Sequence, residues 1–270
     1  MNIQKCHKNV WLFSGASSGI GKEWVKEILN NGGKVIGVTR NINSLSDLKD
    51  KYKNNFMPIE ANITDVNDLE LSIDKAMNSM QVPYISHVVC AAGFAHFGTI
   101  EDVSPEELLE NFKVNVIGAR NLAILGLKRM APSGDRRIIF VSSMAGLHCW
   151  PNLGVYQISK FGVRALSETL RVELESKGIQ VGCLYLGPHI GTGWLTTYAK
   201  RTPPSSGYSA SWLEKSTISE FEHYSPEGAI PVFDRMITET PMPSAATGHQ
   251  EVALLFKKDS NNLFKELDSF

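Results

Sequence analysis

The stretch SGASSGIGKEWVKEILNNGG (residues 14–33) decides the fold. Glycines stand at 15, 19 and 21, and then Ile20, Trp24, Val25, Ile28 and Leu29 recur at the spacing of one helical face. The apolar run NVWLF (9–13) before it reads as a buried strand, and GGKVIGVT (32–39) after it as another. A helix N-terminus exposes unpaired N–H groups and the positive end of the helix dipole. Glycine permits a tight turn and lets a phosphate come close to the backbone. The turn of Gly15, Ser17, Ser18, Gly19, Ile20 and Gly21 is therefore expected to cradle a pyrophosphate; the alternative is a strand–helix turn that holds nothing.

Working outward, helices and strands alternate. LSDLKDKY (45–52) reads as a helix, NFMPIEA (55–61) as a strand, DVNDLELSIDKAMNSM (65–80) as a helix with an acidic first turn, and ISHVVCAA (85–92) as a strand. SPEELLENFKVNVIGARNLAILGLKRM (104–130) reads as a long helix in which Ser104, Pro105 and Glu107 make a capping-box start. RRIIFVSS (136–143) is a strand, GVYQISKFGVRALSETLRVELESKG (154–178) a long helix closed by Gly178, and IQVGCLYL (179–186) a strand. Strands that are continuous apolar runs with helices between them mean parallel strands buried on both faces. The expected architecture is α/β, a doubly wound parallel sheet of order 3-2-1-4-5-6-7 with helices on both faces and its seventh strand near EVALLF (251–256). After residue 190 the rhythm breaks into Pro/Ser-rich loops such as RTPPSSGYSAS (201–211) and TETPMPSAATG (238–248), around helical pieces such as SPEGAIPVFDRMI (225–237). Residues 191–248 are expected to form a substrate lid within a single domain spanning 1–270, because no independent core pattern occurs there.

Composition narrows the function classes. Hydrophobic residues make up 43% and charged residues 20% of the 270, with a net charge of −1, so no global basic field draws the chain to nucleic acid or anionic lipid. No run approaches the length of a membrane span, and MNIQKCHKNVWLFSG (1–15) lacks a signal peptide's apolar core. Cysteines at 6, 90, 149 and 183 form no metal-ligand spacing, so reduced thiols in a cytoplasmic protein and no metal site are expected.

The glycine turn has the spacing G-x-x-x-G-x-G. With YQISK (156–160) downstream of FVSSMAG (140–146), residues 8–193 resemble the short-chain dehydrogenase/reductase family in its compact single-domain branch. The catalytic reading rests first on residue types. Tyr156 and Lys160 lie four apart on one helical face, and Ser142 and Ser143 end a strand, where ligands of parallel sheets bind. Hydride reduction of a ketone leaves an alkoxide that must gain a proton. A free phenol has a pKa of about 10, and lowering it by about three units takes ~4 kcal/mol, which a neighbouring ammonium can supply. Tyr156 is then the general acid, or the base in reverse, and Lys160 tunes it. The resemblance assigns Ser143 rather than Ser142 to the carbonyl oxygen, gives Lys160 a second role on the nicotinamide ribose, and makes Asn115 the helix-breaking residue that holds a water toward the lysine.

The second strand ends VIGVTRN (35–41), with Thr39 and Arg40 where an NAD enzyme usually carries a carboxylate for the ribose. A guanidinium suits a 2′-phosphate and could favour NADP(H) over NAD(H) roughly 10- to 150-fold; a solvated surface arginine is the alternative. By resemblance, Asn62 accepts from the adenine amino group, Ile63 offers its backbone, and Ile190 and Thr192 meet the nicotinamide carboxamide. The family's Asn-Asn-Ala-Gly is replaced here by Cys90, Ala91, Ala92 and Gly93, and its Pro-Gly by Gly187-Pro188. Cys90, Ala92 and Gly93 are carried over as cofactor neighbours, although the sheet-stabilising bonds of the two asparagines must be absent or replaced.

His96, His148 and His189 fall near the expected pocket without metal-like spacing, which suits packing or substrate lining. Trp150, Trp194, Tyr198, Tyr208 and Trp212 are equally candidates for an apolar substrate wall or for lid core. Second apolar stripes on helices 105–130 and 155–177 match the family's dimer interface, implying a homodimer or homotetramer; one unusually buried helix is the alternative. The reading is an NADP(H)-dependent carbonyl reductase acting on a small-molecule ketone or secondary alcohol, apolar to judge from the lid aromatics. The rival is a non-catalytic NADP(H)-binding sensor or scaffold, and a third option is an epimerase or dehydratase that also uses Tyr and Lys.

Overall fold

The structure is a computed structural model describing residues 9–189, 199–205, 224–248, 250 and 252–255. Strands β1 (Val10–Ser14), β2 (Lys34–Thr39), β3 (Phe56–Glu60), β4 (His87–Cys90), β6 (Arg137–Ser143), β7 (Gln180–Leu186) and β9 (Ala245–Ala246) form one sheet in the order β3-β2-β1-β4-β6-β7-β9. All of its pairings are parallel. A separate two-stranded parallel ladder joins β5 (His96–Phe97) to β8 (Lys200–Arg201). Counting only the strands of the large sheet gives the order expected from the sequence.

The alternation of side chains across each strand explains why the strands are apolar throughout. Leu12, Val88, Ile138 and Phe140 face one core, and Trp11, Phe13, Val89 and Ile139 face the other. Helices α3 (Val66–Ser79), α4 (Pro105–Phe112), α5 (Ala119–Leu127) and α6 (Gly154–Glu175) cover the first face. Helices α1 (Gly19–Asn30), α2 (Ser46–Tyr52) and α7 (Ile230–Thr238) cover the second.

Two expectations need correction. The seventh strand is Ala245–Ala246, paired to Cys183–Leu184, while residues 252–255 are helical. EVALLF is apolar enough for either state, and a short apolar run cannot distinguish them by periodicity. Residues 224–248 also belong to the body rather than to a lid. Phe233 of α7 is fully buried and stacks on Trp24 at 4.7 Å, and Trp24 Nε1 donates to the Ala229 carbonyl at 3.0 Å. Fully buried Arg137 donates to the carbonyls of Met236 (2.7 Å) and Glu239 (3.0 Å), which satisfies the end of α7. The helical piece expected in SPEGAIPVFDRMI is thus present as α7, but it packs into the body instead of a lid. The remainder of the expected lid, including Trp194, Tyr198, Tyr208 and Trp212, lies outside the described residues apart from 199–205.

Asp234 on α7 gives this packing a pH dependence. Burial, and then the nearby charge of Glu27, raise its carboxyl to about 6. Its ionised form therefore opposes folding above about pH 6, and that opposition fades as pH falls toward the unfolded value. Asp234→Asn is expected to stabilise the protein by ~1 kcal/mol at pH 7.5, after allowance for solvent screening, and by much less near pH 4. Thermal melts at the two pH values check this; an equal gain at both would remove the carboxylate as the cause.

Candidate active site

The carboxyl ends of β1, β2, β4, β6 and β7 open into one cleft of about 790 Å³. Its floor at the β1 end is the glycine turn. Gly15 and Gly19 have φ of +80° and +52°, a region glycine enters without strain. A Cβ on Gly15 would stand 2.8 Å from the Ala91 carbonyl carbon, and one on Gly21 would stand 2.1 Å from the Gly15 carbonyl oxygen. The turn thus lies directly against both its own helix and the end of β4.

The start of α1, like that of α6, lacks the side-chain cap found at α3 and α4. Asp65 caps α3 by accepting from the backbone N–H groups of Asn67 and Asp68, and Ser104 with Glu107 closes a full capping box on α4. Ser18, at the N-cap of α1, makes no side-chain cap bond, and the first turn holds no acid. The N–H groups and positive dipole end of α1 face the cleft without a protein anion, as a pyrophosphate would require. The residues present fit a dinucleotide on this observation.

Farther along β2, Arg40 is exposed, lines the cleft and makes no ion pair among the described residues. Asn62 and Ile63 line the same end. Asn62 Oδ1 accepts from both the N–H and the hydroxyl of Thr64, each at 3.0 Å. Thr64 thus competes for the oxygen to which the resemblance gives an acceptor role.

At the end of β4, Ala92 and Gly93 line the cleft but Cys90 does not. Cys90 is a correction: its buried thiol donates to the Ala119 carbonyl at 3.3 Å, on the core side of the strand, and burial pushes its pKa far up. The bonds that two asparagines would make here are partly supplied by Ser14, whose Oγ accepts from Ala92 N at 3.3 Å and donates to Val89 O at 3.5 Å.

Ser143, Tyr156 and Lys160 all line the cleft. Ser143 Oγ accepts from Ala145 N at 3.2 Å and makes only a long 3.4 Å bond to Leu186 O. Its hydroxyl hydrogen is weakly held and available to a carbonyl oxygen. Ser142 Oγ instead donates to Lys160 O at 3.0 Å. Lys160 Nζ donates to Val141 O at 2.9 Å and lies 5.5 Å from the centroid of the Tyr156 ring. Burial lowers the Lys160 ammonium to about 8, so the charge persists at neutrality but at a reduced margin.

Asn115 lies behind this group, in a π-helical turn (Lys113–Gly118) between α4 and α5. Its Oδ1 accepts from Phe94 N at 3.0 Å, and its Nδ2 reaches Phe94 O (3.0 Å) and Ser159 Oγ (2.9 Å). A Cβ on Gly93 would be 2.9 Å from Asn115 Oδ1 and 3.8 Å from Lys160 Nζ. Asn115 is thus separated from the lysine by the width of one glycine. Sequence reasoning missed its helpers. Asn111, four residues earlier on the same face, donates to Phe94 O at 3.0 Å, and Ser159 donates to Tyr156 O at 2.7 Å. The i, i+4 asparagine pair was the available signal.

The substrate side is apolar near the phenol. Ala95, Phe97, Ala145, Leu153 and Tyr156 form a small cluster that Trp150 and Ala199 join. His189 lines the cleft, buried, with Nδ1 3.0 Å from Gly187 O, and burial lowers its pKa below the usual imidazole value. His96 lies outside the cleft and bonds Thr202 Oγ1 at 2.8 Å, while His148 packs edge-on to Trp150 at 4.7 Å. Among the described residues no group of His, Cys, Asp or Glu could hold a metal. Ile190 and Thr192 lie outside the described residues.

A parallel doubly wound sheet with a glycine-lined, uncapped helix start opposite a Ser–Tyr–Lys set defines a dinucleotide-binding α/β protein. The short chain dehydrogenase family model matches residues 9–201, and the chain belongs to this family. It is 31% identical over 180 residues to the uncharacterised oxidoreductase YbbO of Escherichia coli, covering 66% of this chain and 64% of that protein. It is 32% identical over 180 residues to the NADPH-dependent 3-dehydrocapnine reductase of Ornithobacterium rhinotracheale, covering 65% and 63%. The match thus spans a little under two thirds of these relatives' lengths. A short-chain dehydrogenase from Streptomyces avermitilis superposes with a TM-score of 0.86 at 21% identity, covering 97% of this chain and 96% of that one. A short-chain type dehydrogenase/reductase from Mycobacterium marinum superposes at 0.73, also with 21% identity.

Proposed function

We propose that the protein is an NADP(H)-dependent oxidoreductase that interconverts a ketone and a secondary alcohol. The observation that carries this reading is the placement of Ser143, Tyr156 and Lys160 in one cleft with the uncapped start of α1. The turn at Gly15, Ser17, Ser18, Gly19, Ile20 and Gly21 would hold the pyrophosphate, and Arg40 the 2′-phosphate. Lys160 would also meet the nicotinamide ribose, with Ala92 and Gly93 giving it room. When bound, the nicotinamide supplies hydride to the substrate carbon or takes it away.

The chain's own residues do the rest. Ser143 donates to the carbonyl oxygen and stabilises the charge that develops there. Tyr156 delivers the proton to the same oxygen in reduction and removes it in oxidation. Lys160 stabilises the phenolate that remains, and its own charge is held by the Val141 carbonyl. Asn115, Asn111 and Ser159 fix the loop at Phe94 and the backbone of Tyr156, so the phenol is set by packing rather than by substrate. A scaffold that binds nucleotide without turnover has no need of a buried ammonium kept near its phenol.

The name of the Ornithobacterium relative, an NADPH-dependent reductase, supports this direction and cofactor. Exposed Leu109, Ile117, Ile158 and Val172 on the α4–α6 surface support a homodimer or homotetramer. Among the described residues no helix is long and apolar enough to cross a membrane. Cys90 and Cys183 are free and buried, and such reduced thiols support a cytoplasmic site of action.

A panel of ketones and alcohols with NADPH and NADH, followed at the nicotinamide absorbance, tests the reaction. Arg40→Ala tests the cofactor. Loss of one charge-assisted contact is expected to shift the NADPH/NADH ratio of kcat/KM roughly 10- to 150-fold toward NADH. A ratio that stays where it was takes Arg40 out of this role.

A further inference from the structure

The charge lining the cleft is one-sided. Four cationic side chains, Arg40, Lys113, Lys160 and Lys200, stand against a single carboxylate, Glu110, in the described part of the wall. Arg40 and Lys160 already have uses in the reading above. Lys113 and Lys200 do not, and they sit together. Lys200 ion-pairs with Glu110 and lies 5.5 Å from the Phe94 ring centroid. Lys113 is one helical turn beyond Glu110, exposed, with no ion-pair partner among the described residues. Lys200 belongs to the substrate side, and Lys113 lines the same cleft one turn along from Glu110, the partner of Lys200. Ala199, next to Lys200, packs with Tyr156, Leu153 and Trp150, and β8 is held on β5 beside that cluster. From phenol to mouth, then, the described wall runs from apolar to cationic, and the only carboxylate among its described residues is already paired with Lys200.

Resting on the reaction proposed above, we propose that the substrate is an amphiphilic carbonyl compound: an apolar segment beside the reacting carbon and an anionic end group, carboxylate, sulfonate or phosphate. Lys113, assisted by Lys200, reads the anion at the mouth. A purely apolar ketone would leave Lys113 unanswered and would gain nothing from a cationic rim. An acid of the same skeleton gains a charge-assisted contact at an exposed site, where salt screens it.

The test compares 7-oxooctanoate with its methyl ester, using the full chain and NADPH. In the unaltered protein the acid is expected to exceed the ester in kcat/KM by about tenfold at low salt, and by less at 0.5 M salt. Lys113→Glu is expected to bring the ratio to one or below, and Lys113→Arg to keep it. NADPH affinity, measured by nicotinamide fluorescence, separates the two possible targets of the lysine. The inference is overturned if the unaltered protein shows no acid preference, if Lys113→Glu leaves the ratio where it was, or if it weakens NADPH without moving the ratio. If neither ketone turns over, the reaction is judged by the panel above, and binding decides the anion. Octanoate is expected to quench tryptophan fluorescence at about tenfold lower concentration than methyl octanoate, and to lose that advantage in Lys113→Glu. Equal binding of the two, or an advantage that survives the substitution, overturns the inference.

Discussion

Tyr156→Phe is expected to lower kcat for ketone reduction by about 10²- to 10⁴-fold while NADPH binding stays within a few-fold of the original. The substitution removes one oxygen and leaves a ring that keeps its place. Tyr156 is 5% exposed, packed among Ala95, Phe97, Ala145 and Leu153, and its backbone carbonyl accepts from Ser159 at 2.7 Å. A phenylalanine there preserves the apolar wall and the 5.5 Å approach of Lys160 Nζ to the ring. Only the proton donor is lost, so the loss should appear in kcat rather than in KM. Stopped-flow measurement with saturating cofactor checks this. A variant that reduces ketones at the original rate would sink Tyr156 as the acid, whatever its effect on binding.

Gly21→Ala is expected to cost both fold stability and cofactor binding. Its Cβ would stand 2.1 Å from the Gly15 carbonyl oxygen, an atom of backbone that has nowhere to go. Gly15 in turn lies against Ala91 and Ala92 at the end of β4, where an added Cβ would be 2.8 Å from backbone. Relief requires the whole turn to lift away from the start of α1. Stability should fall by ~1–3 kcal/mol, and NADPH affinity should fall at least tenfold because the N–H groups no longer converge. Thermal melts with and without NADPH give both numbers. Gly32→Asn is the comparison: φ there is +84°, which asparagine tolerates, and an added Cβ meets nothing within 4 Å. If Gly21→Ala binds NADPH as tightly as Gly32→Asn does, the turn is not the cradle.

The sheet was legible because its strands are buried on both faces. Runs such as VWLF and RIIFV carry no polar alternation, and the helices between them show their apolar stripes plainly. The cleft was legible for a related reason: the glycine turn and the YQISK segment each combine residue types that local structure does not require. What could not be read depends on contacts remote in sequence. Cys90 follows its strand neighbours toward the cofactor on paper, yet the alternation of the strand turns its thiol to the Ala119 carbonyl. Asn62 keeps an acceptor oxygen in composition, but in the following turn Thr64 competes for it. The short strand Ala245–Ala246 has no pattern of its own and exists because Cys183 and Leu184 offer it an edge. The helix in SPEGAIPVFDRMI was legible, but its burial against α1 was not, because its partners Trp24 and Arg137 are remote in sequence, and the pairing of Lys200 with Glu110 likewise spans a sequence distance that no local pattern reports.

Glu107 answers to two masters. One of its oxygens accepts from Ser104 N at 2.9 Å to complete the start of α4, and the other accepts from Thr202 Oγ1 at 3.0 Å. Since that threonine hydroxyl spends its hydrogen on Glu107, His96 Nε2 must be the donor in their 2.8 Å bond, which fixes the imidazole tautomer. The opening turn of a core helix and the strand pair at the cleft's rim therefore share a single latch. Removal of the Glu107 carboxylate would release both at once, the first turn of α4 and the hold on the β8 edge.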